Sequence, residues 1–247
     1  MTPRLVVLDA AGTLLELHHP VWETYAELAH RAGIELDPSS LERAFRRVFG
    51  AAPPLAFGEL DPALRRVAER DWWRRIVREC VALAGAPAAP AFDRFFDLAW
   101  RAFGAPGTWR VPDDVRPALR ALRRQGHRLA VLSNWDGRLP GLLDGLGLGG
   151  YFARVLVSAD LPAAKPSHGA FRAAGDLLED LTPGPPVMVG DRIDHDVEPA
   201  LAAGWDAVWL DRESRGSVLP EGAARVASLR DLALDPLPAC FLESPAP

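Results

Sequence analysis

The sequence predicts an α/β protein whose parallel sheet is interrupted, just after its first strand, by an all-helical insert. Three observations predict it. The apolar run Leu5-Val6-Val7-Leu8 ends in an acid, Asp9, as strands buried on both faces do where open α/β sheets place their chemistry. From residue 16 to 104 no convincing strand occurs. After residue 105, short apolar runs alternate with helical patterns, the texture of βαβ units. A chain of 247 residues has room for one domain of ordinary size and a smaller one. The boundaries read from it are residues 1–15 plus 105–247 for the α/β core and 16–104 for the helical insert.

The elements follow in order. Residues 4–8 form the first strand. His19-Pro20-Val21-Trp22 opens a helix with Pro20 in its first turn, and Val21, Tyr25, Leu28 and Ala29 share one face until Gly33 ends it. Asp37 is the expected N-cap of a second helix with Pro38 at N1. A loop fills residues 50–60. Long helices are expected near Pro62 to Leu83 and near Ala89 to Phe103. The adjacent Trp72 and Trp73 cannot share a helix face. One is expected in the core and the other at a cleft or a subunit contact. Hinges are expected near Glu16–His18 and Gly104–Gly107.

The alternation then begins. Thr108 to Val111 is extended, and Asp113 to Gln125 is a helix stopped by Gly126. Strands are expected at 127–132, 154–157, 187–189 and 207–210. Helices fall at 139–146, 168–178 and 194–203, with a short one near 229–234 before a Pro-rich, frayed end. The strand before Asp9 is expected at the centre of the sheet, since later strands must flank it.

Bulk composition narrows the function. Apolar residues make up 49 % and charged residues 25 %, as in ordinary globular proteins. A net charge of -5 leaves no basic footprint for nucleic acid. No apolar run reaches the roughly 20 residues of a membrane span. Asp9 interrupts the run where a signal peptide would stay apolar. Cys80 and Cys240 lack the spacing of a zinc site and are too few for a disulfide framework. These features predict a reducing, cytoplasmic setting, and no particular oligomeric state. Among 28 Lys and Arg residues, Lys165 is the single lysine. That singles it out, because a compact ammonium on a flexible stem does different work from a planar guanidinium.

Four polar segments end or follow apolar runs: Asp9 with Gly12-Thr13-Leu14, Ser133-Asn134, Lys165-Pro166, and Gly190-Asp191 with Asp196. Taken singly, each has a commoner structural explanation as a cap, a turn or a solvated charge. In this order and spacing they resemble the four motifs of the haloacid dehalogenase-like superfamily. The resemblance spans about residues 4 to 211, and the helical insert stands where that family carries its first type of mobile cap on a Rossmann-like core. His19-Pro20-Val21-Trp22, Trp72-Trp73 and Thr108-Trp109 also resemble a cap-bearing subgroup of it.

The resemblance implies a Mg²⁺-dependent phosphatase of a small phosphorylated metabolite. Asp9 would be the nucleophile that forms an aspartyl-phosphate. Asp9, Asp191 and the Ala11 carbonyl would ligate Mg²⁺, with Asp196 orienting that site. Ser133, Thr13 and backbone N–H groups including that of Asn134 would hold phosphoryl oxygens, and Lys165 would neutralise Asp9 and the transferring group. Trp135 is the candidate aromatic facing substrate. The pattern departs from the family at one position. Family phosphatases carry a second Asp two residues after the nucleophile, and here that residue is Ala11. A positioned acid–base group contributes about 10²- to 10⁴-fold, so slow turnover or a preference for good leaving groups is expected unless Asp194, His195, His18 or His19 substitutes. Two alternatives follow from Ala11: a non-catalytic phosphate-binding or regulatory protein, and, with less support, a 2-haloacid dehalogenase. A Schiff-base mechanism has no lysine in the insert to use.

Overall fold

The computed structural model describes residues 3–86, 91–181, 184–214 and 218–233. In chain order the regular elements are β1 (Leu5–Leu8), β2 (Glu16–Leu17), α1 (Val21–Ala32), α2 (Pro38–Gly50), α3 (Pro62–Leu83) and α4 (Phe92–Phe103). There follow β3 (Trp109–Arg110), α5 (Val115–Arg124), β4 (Arg128–Ser133), α6 (Leu139–Gly145), β5 (Arg154–Val157) and α7 (His168–Leu178). The last are β6 (Val187–Gly190), α8 (Glu198–Ala202), β7 (Asp206–Leu210) and β8 (Ala223–Val226). The chain divides into two compact units. One holds Met1–Glu16, Ala56–Glu59 and Val111–Pro247, and the other Leu17–Leu55 and Leu60–Arg110.

In the first unit six parallel strands lie in the order β5-β4-β1-β6-β7-β8. All four residues of β1 are buried, and β4 and β6 flank it in register, Val7 facing Ala130 on one side and Met188 on the other. This is the central position that an uninterrupted apolar run requires. Phe171, Ala174 and Leu178 of α7 pack against β1, β4, β6 and β7 with Trp205 and Trp209. At the N-terminal edge of the sheet the Arg4 N–H donates to His127 Nδ1 at 3.0 Å, and the Arg4 guanidinium binds Asp206 and the Pro185 carbonyl.

The second unit is built on the helices α1 to α4. Tyr25, Leu28, Leu41, Val77, Phe95 and Phe96 form its core. Asp37 caps α2 by accepting the Ser40 N–H, and Asp61 caps α3 by accepting those of Ala63 and Leu64. Trp72 is buried, with its indole N–H on the Pro53 carbonyl. Trp73 meets it edge to face and stacks on Phe49, so both indoles serve packing within this unit.

Five expectations are corrected. Glu16–Leu17 is a two-residue strand paired with β3, inside a stretch read as strand-free. The helix expected over 194–203 begins as a wide π-helical turn, Ile193–Val197, before α8. Edge strand β8 was not foreseen, because Ala223-Ala224-Arg225-Val226 has neither a long apolar run nor strict alternation. The element near 229–234 is a 3₁₀ helix over Leu229–Ala233. Ala56–Glu59, read as part of the insert's loop, groups with the α/β unit: Phe57 N–H donates to the Ala159 carbonyl and Gly58 N–H to that of Leu161. The frayed end, Cys240 and the helix start at Ala89 lie outside the described residues.

Candidate active site

The ends of β1, β4 and β6 bring the polar segments to one edge of the sheet. Asp9 continues β1, with its N–H on the Val189 carbonyl at 2.9 Å. The chain then turns sharply. Thr13, Leu14 and Leu15 donate to the Ala10 carbonyl, and Gly12 donates to that of Leu15, so the turn's own hydrogen bonds leave the Ala11 carbonyl out. Gly12 sits at φ 84°, a left-handed conformation that favours glycine. A Cβ there would come within 2.6 Å of the Asp191 carboxyl. Asp191, just past β6, is thus packed directly over the turn that follows Asp9. Gly190 is constrained in the same way, since its Cβ would strike the Asp196 carboxyl.

Lys165 ties the site together. Its ammonium donates to Asp9 Oδ1 at 2.7 Å and to Asp196 Oδ1 at 2.5 Å, and its side chain is 3 % exposed. Burial opposes an ammonium, but the Asp196 and Asp9 carboxylates outweigh it and hold the Lys165 pKa above its ordinary value. Burial pushes the Asp196 carboxyl up, against the pull of Lys165. The second Asp196 oxygen accepts the Arg192 N–H at 3.1 Å. Asp196 lies within the π-helical turn Ile193–Val197, with its carboxyl close to Gly190 at the end of β6.

Asp9, Asp191 and Asp196 offer carboxylate oxygens within 4.8 Å of one another, a group that could hold a metal ion. Lys165 and the Arg192 N–H already engage both Asp196 oxygens. Asp9 and Asp191 carry the other carboxylate oxygens of the group, hard donors of the kind that suit Mg²⁺.

The remaining predicted residues fall as follows. Ser133 ends β4 and is buried. Thr13 is fully buried, and its Oγ1 has no hydrogen-bond partner. The Asn134 side chain grips the Lys165 backbone from both sides, accepting its N–H at 2.9 Å and donating to its carbonyl at 2.6 Å. That amide therefore positions Lys165; the Asn134 backbone N–H was the group expected to meet substrate. Trp135 is 9 % exposed, and its carbonyl accepts from Ala159 N–H and Ser158 Oγ. Asp194 turns outward to Arg192, with His195 Nδ1 also 3.1 Å from it. The Arg192 hydrogen bond lowers its pKa. His18 and His19 are exposed in the helical unit, His19 3.9 Å from Glu23.

Sequence reasoning missed a second layer. Arg212, two residues past β7, donates to the Gly12 carbonyl at 2.6 Å, to the Thr13 carbonyl at 3.0 Å and to both oxygens of Asp114. A polar residue after an apolar strand was the signal that found the other segments, and Asp211-Arg212 carries it too. Asp113-Asp114 read only as a helix start.

A parallel sheet with a buried Asp–Lys–Asp cluster at the C-terminal ends of its central strands, and a further Asp over the first turn, defines a class of hydrolase. The comparisons specify it: the family model of haloacid dehalogenase-like hydrolases matches residues 3–204, and the chain belongs to that family. It is 36 % identical over 201 residues to the human haloacid dehalogenase-like hydrolase domain-containing protein 3, covering 81 % of this chain and 79 % of that one. It is 31 % identical over 253 residues to a phosphoserine phosphatase of Thermus thermophilus, covering 94 % and 98 %. Among solved structures, a HAD phosphatase from Thermococcus onnurineus matches with a TM-score of 0.61 and 25 % identity, over 94 % of this chain and 96 % of that one.

Proposed function

We propose that the protein is a Mg²⁺-dependent phosphatase of small phosphorylated metabolites, with Asp9 as nucleophile. The observation that carries this reading is the Lys165 ammonium held between Asp9 and Asp196, with the Asp191 carboxylate close enough to share a metal ion with them. Phosphoryl transfer needs a carboxylate nucleophile and positive charge at the transferring oxygens. Asp9 attacks phosphorus, its oxygen forms the new P–O bond, and the leaving oxygen departs with the old bond's electron pair. Water then cleaves the aspartyl-phosphate and restores Asp9. Lys165 steadies the Asp9 carboxylate and meets the incoming charge. Asp9 and Asp191, with the Ala11 carbonyl, would hold Mg²⁺, which would supply Lewis-acid charge for the phosphoryl oxygens. Thr13 Oγ1 gains the partner it lacks from a phosphoryl oxygen, and Ser133 adds a second hydroxyl.

Ala11 favours a second reading, a protein that binds phosphate without turning it over, because no carboxylate stands where the proton carrier would be. The test is single- and multiple-turnover kinetics on an activated aryl phosphate with Mg²⁺. Turnover that disappears in Asp9→Asn and in excess chelator supports the phosphatase. Phosphate-analogue binding with neither turnover nor phosphoenzyme establishes the second reading. Halide release from a 2-haloacid that survives the chelator overturns both.

A further inference from the structure

We propose that Arg212 is a positioning residue for the nucleophile turn, a strut that fixes the peptides after Asp9 from behind. The inference rests on the phosphatase reading for its kinetic consequence, though not for its structural one. All three guanidinium nitrogens are engaged. Nη1 donates to the Gly12 carbonyl and Nη2 to that of Thr13, while Nε and Nη2 hold Asp114. Asp114 is anchored in turn. Its Oδ2 accepts the Leu229 N–H at 2.9 Å and the Ser228 hydroxyl at 3.2 Å. Burial raises its pKa, but the Arg212 and Leu229 hydrogen bonds more than reverse this and hold the carboxyl below its ordinary value.

The geometry explains why such a strut is needed. On its strand side Asp9 is fixed by β6, through Val189, and its carboxylate is fixed by Lys165. On its other side lies a turn of small residues, Ala10-Ala11-Gly12, with Ala10 buried, Ala11 exposed and glycine at positive φ. Carbonyls of a tight turn point outward and need donors. A planar fork can satisfy two adjacent carbonyls and a carboxylate together, which an ammonium cannot. Arg212 therefore sets the path of the turn that follows Asp9, without itself touching substrate.

The experiment pairs amide hydrogen exchange on the ligand-free protein with kinetics on an aryl phosphate in Mg²⁺, for wild type, Arg212→Met and Arg212→Lys. The strut predicts exchange about tenfold or more faster across residues 9–16 in Arg212→Met, with the β4 segment unchanged. It also predicts kcat lower by about 10- to 100-fold with KM little changed, as for a displaced nucleophile, and partial recovery in Arg212→Lys. If Arg212→Met does not fold, Asp114→Asn, which keeps the side-chain shape, replaces it in both measurements. Exchange that stays at the wild-type rate in residues 9–16, or that rises equally throughout the α/β unit, overturns the strut. Selective loosening of residues 9–16 in a protein whose wild type never turns over sustains the strut and sinks the phosphatase reading.

Discussion

At the scale of single residues, the phosphatase reading turns on Ala11. Its side chain is exposed, and the turn's hydrogen bonds run to Ala10 and Leu15 rather than to it. A carboxylate introduced there replaces an exposed methyl group and removes none of the turn's backbone hydrogen bonds. Ala11→Asp is therefore expected to raise phosphatase turnover by about 10²- to 10⁴-fold, the usual worth of a placed acid–base group. Steady-state rates for the two proteins at saturating Mg²⁺ check this. An unchanged rate would mean that proton transfer is not what limits the site. Asp194 is paired with Arg192, which holds its pKa below the ordinary value.

At the scale of elements, the sheet places the chemistry and the ends of its strands tune it. β1 lies between β4 and β6, so Asp9, Ser133 and Asp191 emerge side by side. The opposite edge has its own titratable group. Burial lowers the His127 pKa from 6.5, and its Nδ1 must stay unprotonated to accept the Arg4 N–H. The unfolded chain therefore binds the proton more readily than the folded one. The stability His127 confers is present above about pH 6.5 and is lost as pH falls through the depressed folded value. Urea midpoints measured from pH 7.5 down to 4.5 should fall in the wild type. They should fall less in His127→Gln, whose neutral amide oxygen can accept the same N–H. Parallel curves for the two would remove His127 from the acid response.

At the scale of the molecule, the three-carboxylate group belongs wholly to the α/β unit. An ion that binds only the folded state stabilises it by mass action, about 2.7 kcal/mol at a hundred times its Kd. Mg²⁺ should therefore raise the melting temperature of the α/β unit and leave that of the helical unit unmoved. Asp191→Asn should abolish the rise. Calorimetry with and without Mg²⁺ reads both transitions, and a rise that persists in Asp191→Asn would place the ion elsewhere. Among the described residues no helix is long and apolar enough to cross a membrane.

The sequence by itself determined the fold class, most element positions and the identity of the four polar segments. Those signals are local: an apolar run buried on both faces, an acid at its end, a single lysine, and caps such as Asp37 one residue ahead of their helices. Tertiary structure alone decided which polar groups are already spent. The Asn134 side-chain amide has no assigned role until it is seen holding Lys165, 31 residues away. Asp196 reads as one acid among three until it is seen within the π-helical turn, bound to Lys165. Arg212 meets Gly12 across 200 residues, a pairing that neither periodicity nor spacing encodes. Hydrogen bonds of that kind depend on which loops the sheet order brings together, and one strand's sequence carries no record of its neighbour's loop.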